Sequence, residues 1–189
     1  NSTYYWKVVP INSIGIATGC TVNSFTTGTG FNYCLPVTTY GCSGGATIGS
    51  VSTSSAITNI SNLNSGCTSL TGPSYSDYSP TMQMSAARGT SFNISVGITN
   101  YSAGVKVWID YNQNGTFEAT ELATQSASTV ASASTYTGVV GIPLTAMLGT
   151  TRMRVRAVES YTTFGPCDSQ YYGETEDYMI NIDVAPSCL

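Results

Sequence analysis

The chain has 189 residues, enough for one large domain or one domain with a short extension. Only 8% of them are charged, against about 25% in an average globular domain, and the share is taken up by Ser, Thr, Asn and Gly beside a 41% hydrophobic content. A net charge of −4 with six basic residues argues against a nucleic-acid surface, no apolar run is long enough to span a membrane, and the absence of His removes Ser-His-Asp and Cys-His catalysis, His-ligated zinc and histidine pH switching.

In chain order, Tyr4, Trp6 and Val8 predict a first strand. The sequence is poorly patterned after Ile16, so residues 1–30 are expected to be an extension or strand laid against the main domain, or the end of a preceding one. Because the chain opens at Asn1 rather than Met, a mature or excised segment is expected. Six cysteines follow at 20, 34, 42, 67, 167 and 188; without a CxxC pair or His they read as three disulfides in an oxidising compartment rather than a zinc site. Fifteen pairings are open, free thiols being the alternative. A nested set is expected: Cys20 with Cys188, Cys34 with Cys167, Cys42 with Cys67.

Residues 56–63 predict a strand with a bend. Phe92, Ile94, Val96 and Ile98 alternate with polar residues, as a half-buried strand requires. Val105, Val107 and Ile109 alternate with Lys106, Trp108 and Asp110. Ser128 to Thr137 reads as a loop or an edge strand, and Pro143 to Leu148 as one turn before Gly149. Met153, Val155 and Ala157 predict an inward face, with Arg152, Arg154 and Arg156 opposite. Tyr178, Ile180, Ile182 and Val184 give a last apolar face, with Asp177, Asn181 and Asp183 behind it. No segment holds a helical period for 12 residues. The expected fold is all-β, an antiparallel, jelly-roll-like β-sandwich stapled by disulfides, over residues 31–185, followed by a tail at 186–189.

One motif carries chemistry. Residues 110–121 read D-Y-N-Q-N-G-T-F-E-A-T-E. Oxygen-bearing side chains stand at the first, third and fifth places (Asp110, Asn112, Asn114), Gly115 at the sixth, and the Thr116 carbonyl at the seventh. Glu118 and Glu121 hold the ninth and twelfth. This is the spacing of a calcium loop, because a hard cation takes six to eight oxygens and alternate residues of a tight loop point inward. Asn at the third and fifth places lowers the ligand charge, and the loop follows a strand, so an EF-hand pair is not expected. The other reading of the same residues is an Asx-rich turn between strands.

The stretches V-W-I-D-Y-N-Q-N-G-T-F at 107–117, T-R-M-R-V-R at 151–156 and G-E-T-E-D-Y at 173–178 resemble the GEVED domain, with Tyr33-Cys34, Ser65-Gly66-Cys67 and Tyr75-Ser76-Asp77-Tyr78 similar upstream. The resemblance covers about residues 33–184, with Thr175 where the family name has Val. It implies a β-rich module of secreted or surface-anchored bacterial proteins, often beside hydrolases or adhesion repeats, without a catalytic role of its own. Independently of it, the arginines at 152–156 are expected to face Asp177 and Asp183 as surface ion pairs worth about 0–1 kcal/mol each. Glu174 and Glu176 have a second reading as extra calcium ligands, and whether Glu174 and Asp177 join the metal site is open.

The expected function is a non-catalytic extracellular structural or adhesion module of a secreted or cell-surface bacterial protein. Calcium would stabilise it, it would serve as a fibre subunit or stalk, and its partners would be other surface proteins or copies of itself. The alternative is a carbohydrate-binding accessory module of a secreted hydrolase. The long aromatic loop from Tyr161 to Tyr172, pinned by Cys167, would then meet glycans through Tyr171 and Tyr172. Carboxylate pairs such as Glu118 and Glu121 are not expected to act as glycosidase acids, since sequence spacing places no sugar cleft between them.

Overall fold

The computed structural model describes residues 3–26, 32–42, 44–67 and 72–185. The chain divides into two units, residues 1–32 and 33–189. In the first, β1 (Thr3–Trp6) pairs antiparallel with β4 (Asn23–Thr26), and β2 (Ile11–Asn12) with β3 (Gly15–Ile16). The Asn12 side chain closes the short hairpin by accepting hydrogen bonds from the N–H groups of Ile14 (2.9 Å) and Gly15 (3.2 Å). The apolar residues here are not buried: Trp6, Ile11, Ile14 and Ile16 are all at least half exposed.

The second unit is a sandwich. Its strands are β5 (Thr47–Ser54), β6 (Ser61–Asn62), β7 (Tyr75–Asp77), β8 (Gln83–Ala87), β9 (Ser91–Thr99), β10 (Ala103–Ile109), β11 (Leu122–Gln125), β12 (Ser134–Gly141), β13 (Gly149–Glu159) and β14 (Gly173–Asp183). One sheet runs β12-β9-β5-β6 and the other β11-β10-β13-β14-β7, with β8 also on β14. Most pairs are antiparallel, but β7 and β8 run parallel to β14, one after the other along the same edge. The two sheets close on each other through the alternation read in the sequence. Phe92, Ile94, Val96 and Ile98 pack with Val105, Val107, Ile109, Met153, Val155, Ile180 and Ile182, all essentially inaccessible. Val184 lies beyond β14 and is exposed.

Residues 128–133 are loop and 134–137 begin β12, an edge strand paired only with β9. Of residues 56–63, only Ser61 and Asn62 form a strand. Two disulfides, Cys34–Cys167 and Cys42–Cys67, match the expected pairs, each with Cα atoms 5.8 Å apart. Cys188 and the tail at 186–189 lie outside the described residues, and Cys20 has no disulfide partner among the described ones. No described helix is long and apolar enough to cross a membrane.

The outer face of the larger sheet corrects the expectation of surface ion pairs. Arg154, Arg156 and Asp177 are fully buried there, beneath a second apolar cluster of Trp108, Phe117, Val158 and Phe164. The cover comes from Tyr33 and from the chain around Phe164, which Cys34–Cys167 ties together.

Candidate functional site

Two polar systems stand out. The first is the outer face of β14. β13 pairs with β14 so that Arg154 lies opposite Asp177. Arg154 grips that carboxylate through Nε and Nη2, both at 2.8 Å, a bidentate geometry that fixes orientation as well as charge. Arg152 Nη1 (3.1 Å) and the Tyr75 hydroxyl (2.8 Å) donate to the same Asp177 Oδ2, and Arg152 also pairs with Asp77 at 3.1 Å. The remaining Arg154 donor reaches the Pro166 carbonyl at 3.0 Å, and its guanidinium lies over the Phe117 ring, 4.9 Å from the centroid. Burial raises the Tyr75 phenol, with Asp177 adding to it.

Arg156 has no carboxylate. Its Nη2 donates to the Asp168 carbonyl at 2.9 Å, its Nη1 to the Gly165 carbonyl, and its Nε to Thr175 Oγ1 at 3.1 Å. Burial, and then the neighbouring Arg154 charge, lower its pKa to about 10. The Thr175 hydroxyl therefore has a task that Val could not perform. Asp183 takes no part in the ladder and accepts from Asn181 Nδ2 instead (2.7 Å).

Strand alternation sends Glu174, Glu176 and Tyr178 to the other face, toward the smaller sheet. Glu174 Oε2 accepts from the Ile48 N–H of β5 at 2.9 Å. Tyr178 donates to Glu176 at 2.6 Å and accepts from Asn62 Nδ2 of β6 at 2.9 Å, so both glutamates serve contacts between the sheets. Gly173 opens the strand at φ +146°, where a side chain would run into the Ala157 carbonyl. Neither glutamate approaches the 110–121 loop. Glu174 is paired with Ala157, whereas Asp110 N–H bonds Arg152 O, five residues along the same strand and roughly 17 Å away. Asp177, held by Arg152, Arg154 and Tyr75, is likewise separate from that loop.

Burial pushes the Glu176 carboxyl up to about 7, against partial relief from Tyr178 and Ser65. A carboxyl raised on folding contributes stability that is intact below its unfolded value near 4.5 and fades as pH climbs through 7. The melting temperature of Glu176→Gln should accordingly gain on the wild type between pH 5 and pH 8. A difference independent of pH would show that the buried carboxyl is not linked to folding.

The second system is the loop. Asp110, fully buried, follows the last residue of β10. Its backbone is locked by Arg152 O (3.1 Å) and by Thr151 Oγ1, which donates to its carbonyl at 2.7 Å. Its carboxylate accepts from the N–H groups of Asn114 (3.1 Å) and Gly115 (2.9 Å) and from the Tyr33 hydroxyl (2.6 Å). Gln113 and Gly115 turn the chain through positive φ, +54° and +84°, and Gln113 Nε2 anchors on the Met147 and Leu148 carbonyls.

Asn112 and Asn114 both direct their amides at the Glu118 carboxylate, at 3.2 and 2.6 Å. The Thr116 N–H donates to Asn114 Oδ1 at 2.8 Å. Phe117 stacks on Tyr33, ring centroids 5.0 Å apart, and anchors the loop on the buried arginine layer. After it, a 3-10 turn (Ala119–Glu121) brings the buried Glu121 back under the loop, where it accepts from the N–H groups of Asn112 (3.2 Å) and Glu118 (3.1 Å). Burial raises the Glu121 carboxyl, and the adjoining Glu118 carboxylate raises it further.

All six predicted oxygen donors thus belong to one closed loop. Asn112, Asn114 and Glu118 touch through their side chains, with Glu121 and Asp110 beneath them. The same bonds also describe a self-satisfied Asx-rich turn. No three His, Cys, Asp or Glu side chains among the described residues gather closely enough to hold a metal alone. A cation would therefore need amide and backbone oxygens too. The donor set fits a hard ion: every donor is oxygen, and Glu118 and Glu121 lie together where positive charge would relieve them. Tyr33, Tyr75 and Asp77 complete these systems from far upstream, with no spacing in the sequence to announce the contacts.

Residues 104–181 match the sequence model described as the GEVED domain. They span β10 to β14 without the last residues of the final strand and hold the loop, the arginine ladder and the motif at 173–177. A search of curated proteins found no match. Among solved structures the chain is similar to a protein of Bacteroides vulgatus ATCC 8482, described as a bacterial DNA binding protein. The identity is 13% over 97% of this chain and 68% of that one, and the TM-score of 0.27 is too low to carry an argument about this molecule.

Proposed function

We propose, from the match of residues 104–181 to the GEVED domain model, that the chain is a non-catalytic structural or adhesion module of a secreted or surface-anchored bacterial protein, with calcium closing its 110–121 loop. The observation that carries the reading is how the conspicuous charged residues are used. Asp177 and Arg154 are buried in a structural pair, Glu174 bonds to β5 of the facing sheet, and Glu176 holds the Tyr178 hydroxyl. Nothing in that set is free to touch a substrate. The disulfides suit an oxidising, extracellular compartment.

The ion would be held by Asp110, Asn112, Asn114, Glu118 and Glu121, with Thr116 giving its carbonyl. Calcium would supply fixed positive charge to a loop that otherwise leaves Glu121 desolvated beside Glu118. Its role would be rigidity, not chemistry. The exposed Trp6, Ile11, Ile14 and Ile16 of the first unit offer apolar surface for another surface protein or a second copy.

Melting and sedimentation in calcium and in EGTA test both parts. Calcium at about a hundredfold its dissociation constant should add about 2.7 kcal/mol, raising the midpoint by roughly 5–10 °C for a domain of this size. Glu121→Gln should lose most of that gain. An unchanged midpoint would remove the ion, and a monomer at every concentration would remove the fibre role.

A further inference from the structure

We propose that the loop at 161–172, together with Thr39, forms a binding site for an uncharged saccharide. A cavity of about 470 Å³ is lined by Thr39, Tyr161, Thr163, Ser169, Gln170 and Tyr171. A second, of about 280 Å³, shares Tyr161, Gln170 and Tyr171 with it and continues toward Ser160 and Tyr172. The two share Tyr161 and Tyr171 in their walls and make one open groove. Both fall in or near the size range of small-molecule sites.

The lining chemistry selects the ligand class. The larger cavity has no charged side chain. The smaller has only Glu159, whose carboxylate already accepts from the Ala46 N–H at 3.0 Å. A phosphate or an acidic peptide would find no counter-charge, and the one carboxylate is already engaged by backbone. Tyr161 and Tyr171 are 57% and 65% exposed, the most exposed rings of this unit among the described residues. Their flat apolar faces with a polar tip match a sugar ring, which is apolar on its C–H face and polar at its rim. Around them, the side chains of Thr39, Thr163, Ser169 and Gln170 make no hydrogen bond to any described residue, so three hydroxyls and an amide stand ready for a ligand's hydroxyl groups.

The groove is also built in advance, which lowers the ordering cost of binding. Cys34–Cys167 fixes the middle of the loop. Arg156 holds the carbonyls of Gly165 and Asp168 from below, and the Asp168 carboxylate accepts the Gly165 N–H at 2.7 Å. The far end is stitched to the 37–40 segment by Gln170 N–H to Val37 O (2.9 Å), Thr39 N–H to Gln170 O (2.8 Å) and Tyr40 N–H to Tyr171 O (3.0 Å). Tyr40 stacks against Tyr171 and lies 5.2 Å from Tyr172, which sets the angle of the exposed ring. A loop of this length without strand or helix, held this firmly, has the character of a binding loop.

The test is an array of neutral and anionic glycans, followed by calorimetric titration with soluble oligosaccharides of glucose, mannose, xylose and N-acetylglucosamine at millimolar concentration. At least one neutral glycan should bind saturably. Tyr161→Ala and Tyr171→Ala should each weaken it roughly tenfold, about 1.4 kcal/mol, and Gln170→Ala several-fold. Tyr5→Ala, an exposed tyrosine of the other unit, should leave binding unchanged, and the exposed positions chosen should leave melting nearly unchanged. Silence across the neutral glycans, binding confined to anionic ones, or affinity undiminished in both groove tyrosine variants would each overturn the proposal. Binding measured in EGTA keeps it separate from the calcium loop.

Discussion

Asp177→Asn is expected to destabilise the larger unit by about 3–5 kcal/mol, the range for breaking a buried ion pair from one side. The carboxylate it replaces is fully buried and receives Arg154 at 2.8 Å twice, Arg152 and the Tyr75 hydroxyl. Asn is nearly isosteric but carries no charge and presents one acceptor where two were used. Arg154 is itself fully buried, so its charge is stranded under Phe117. The loss far exceeds what exposed pairs supply, because solvent screens and replaces those. Denaturant unfolding reads the effect directly. Asp183→Asn, on the same strand face but bonded only to Asn181, is the control and should stay within about 0.5 kcal/mol. Equal small losses at both positions would mean that the ladder is solvated after all.

The second large effect concerns the covalent tie over the same layer. Cys34 and Cys167 are 133 residues apart in sequence, Cys42 and Cys67 only 25. Loop-closure entropy assigns about 5 kcal/mol to the long bridge and about 3.5 to the short one. Replacing Cys34 and Cys167 by Ser should therefore cost more than replacing Cys42 and Cys67, measured by unfolding each pair variant against the wild type. Cys34 also carries Tyr33, whose hydroxyl closes over Asp110 at 2.6 Å. Loss of the long bridge should thus loosen the 110–121 loop as well, which loss of the short one should not. A greater cost at Cys42–Cys67 would contradict both the entropy argument and the sealing role of Tyr33.

How much was legible follows from which residues report on themselves. β9, β10, β13 and β14 alternate without interruption, and their core faces could be read residue by residue. β5 could not. A register shift at Gly49 places Ile48 and Val51, three apart, both in the core, so the period of two is broken. The strands β7 and β8 are short and carry few large apolar residues, and their parallel pairing depends on where the chain arrives from, which no local pattern encodes. The loop at 110–121 was readable because all its donors are local. The arginine layer misled for the opposite reason. Alternating Arg on a strand has the pattern of a solvated face, and the residues that bury it, Tyr33, Phe117 and Phe164, come from three separate places in the chain. Nothing near Thr175 in the sequence signals that its hydroxyl accepts from Arg156 either.

The calcium-closed loop stands or falls most directly on equilibrium dialysis of the intact chain against radioactive calcium. One ion per chain is expected, with Glu121→Gln losing it and Glu174→Gln, which is far from the loop, keeping it. No retained calcium at millimolar free concentration, or undiminished binding in Glu121→Gln, would contradict it and leave residues 110–121 as a turn held only by its own hydrogen bonds.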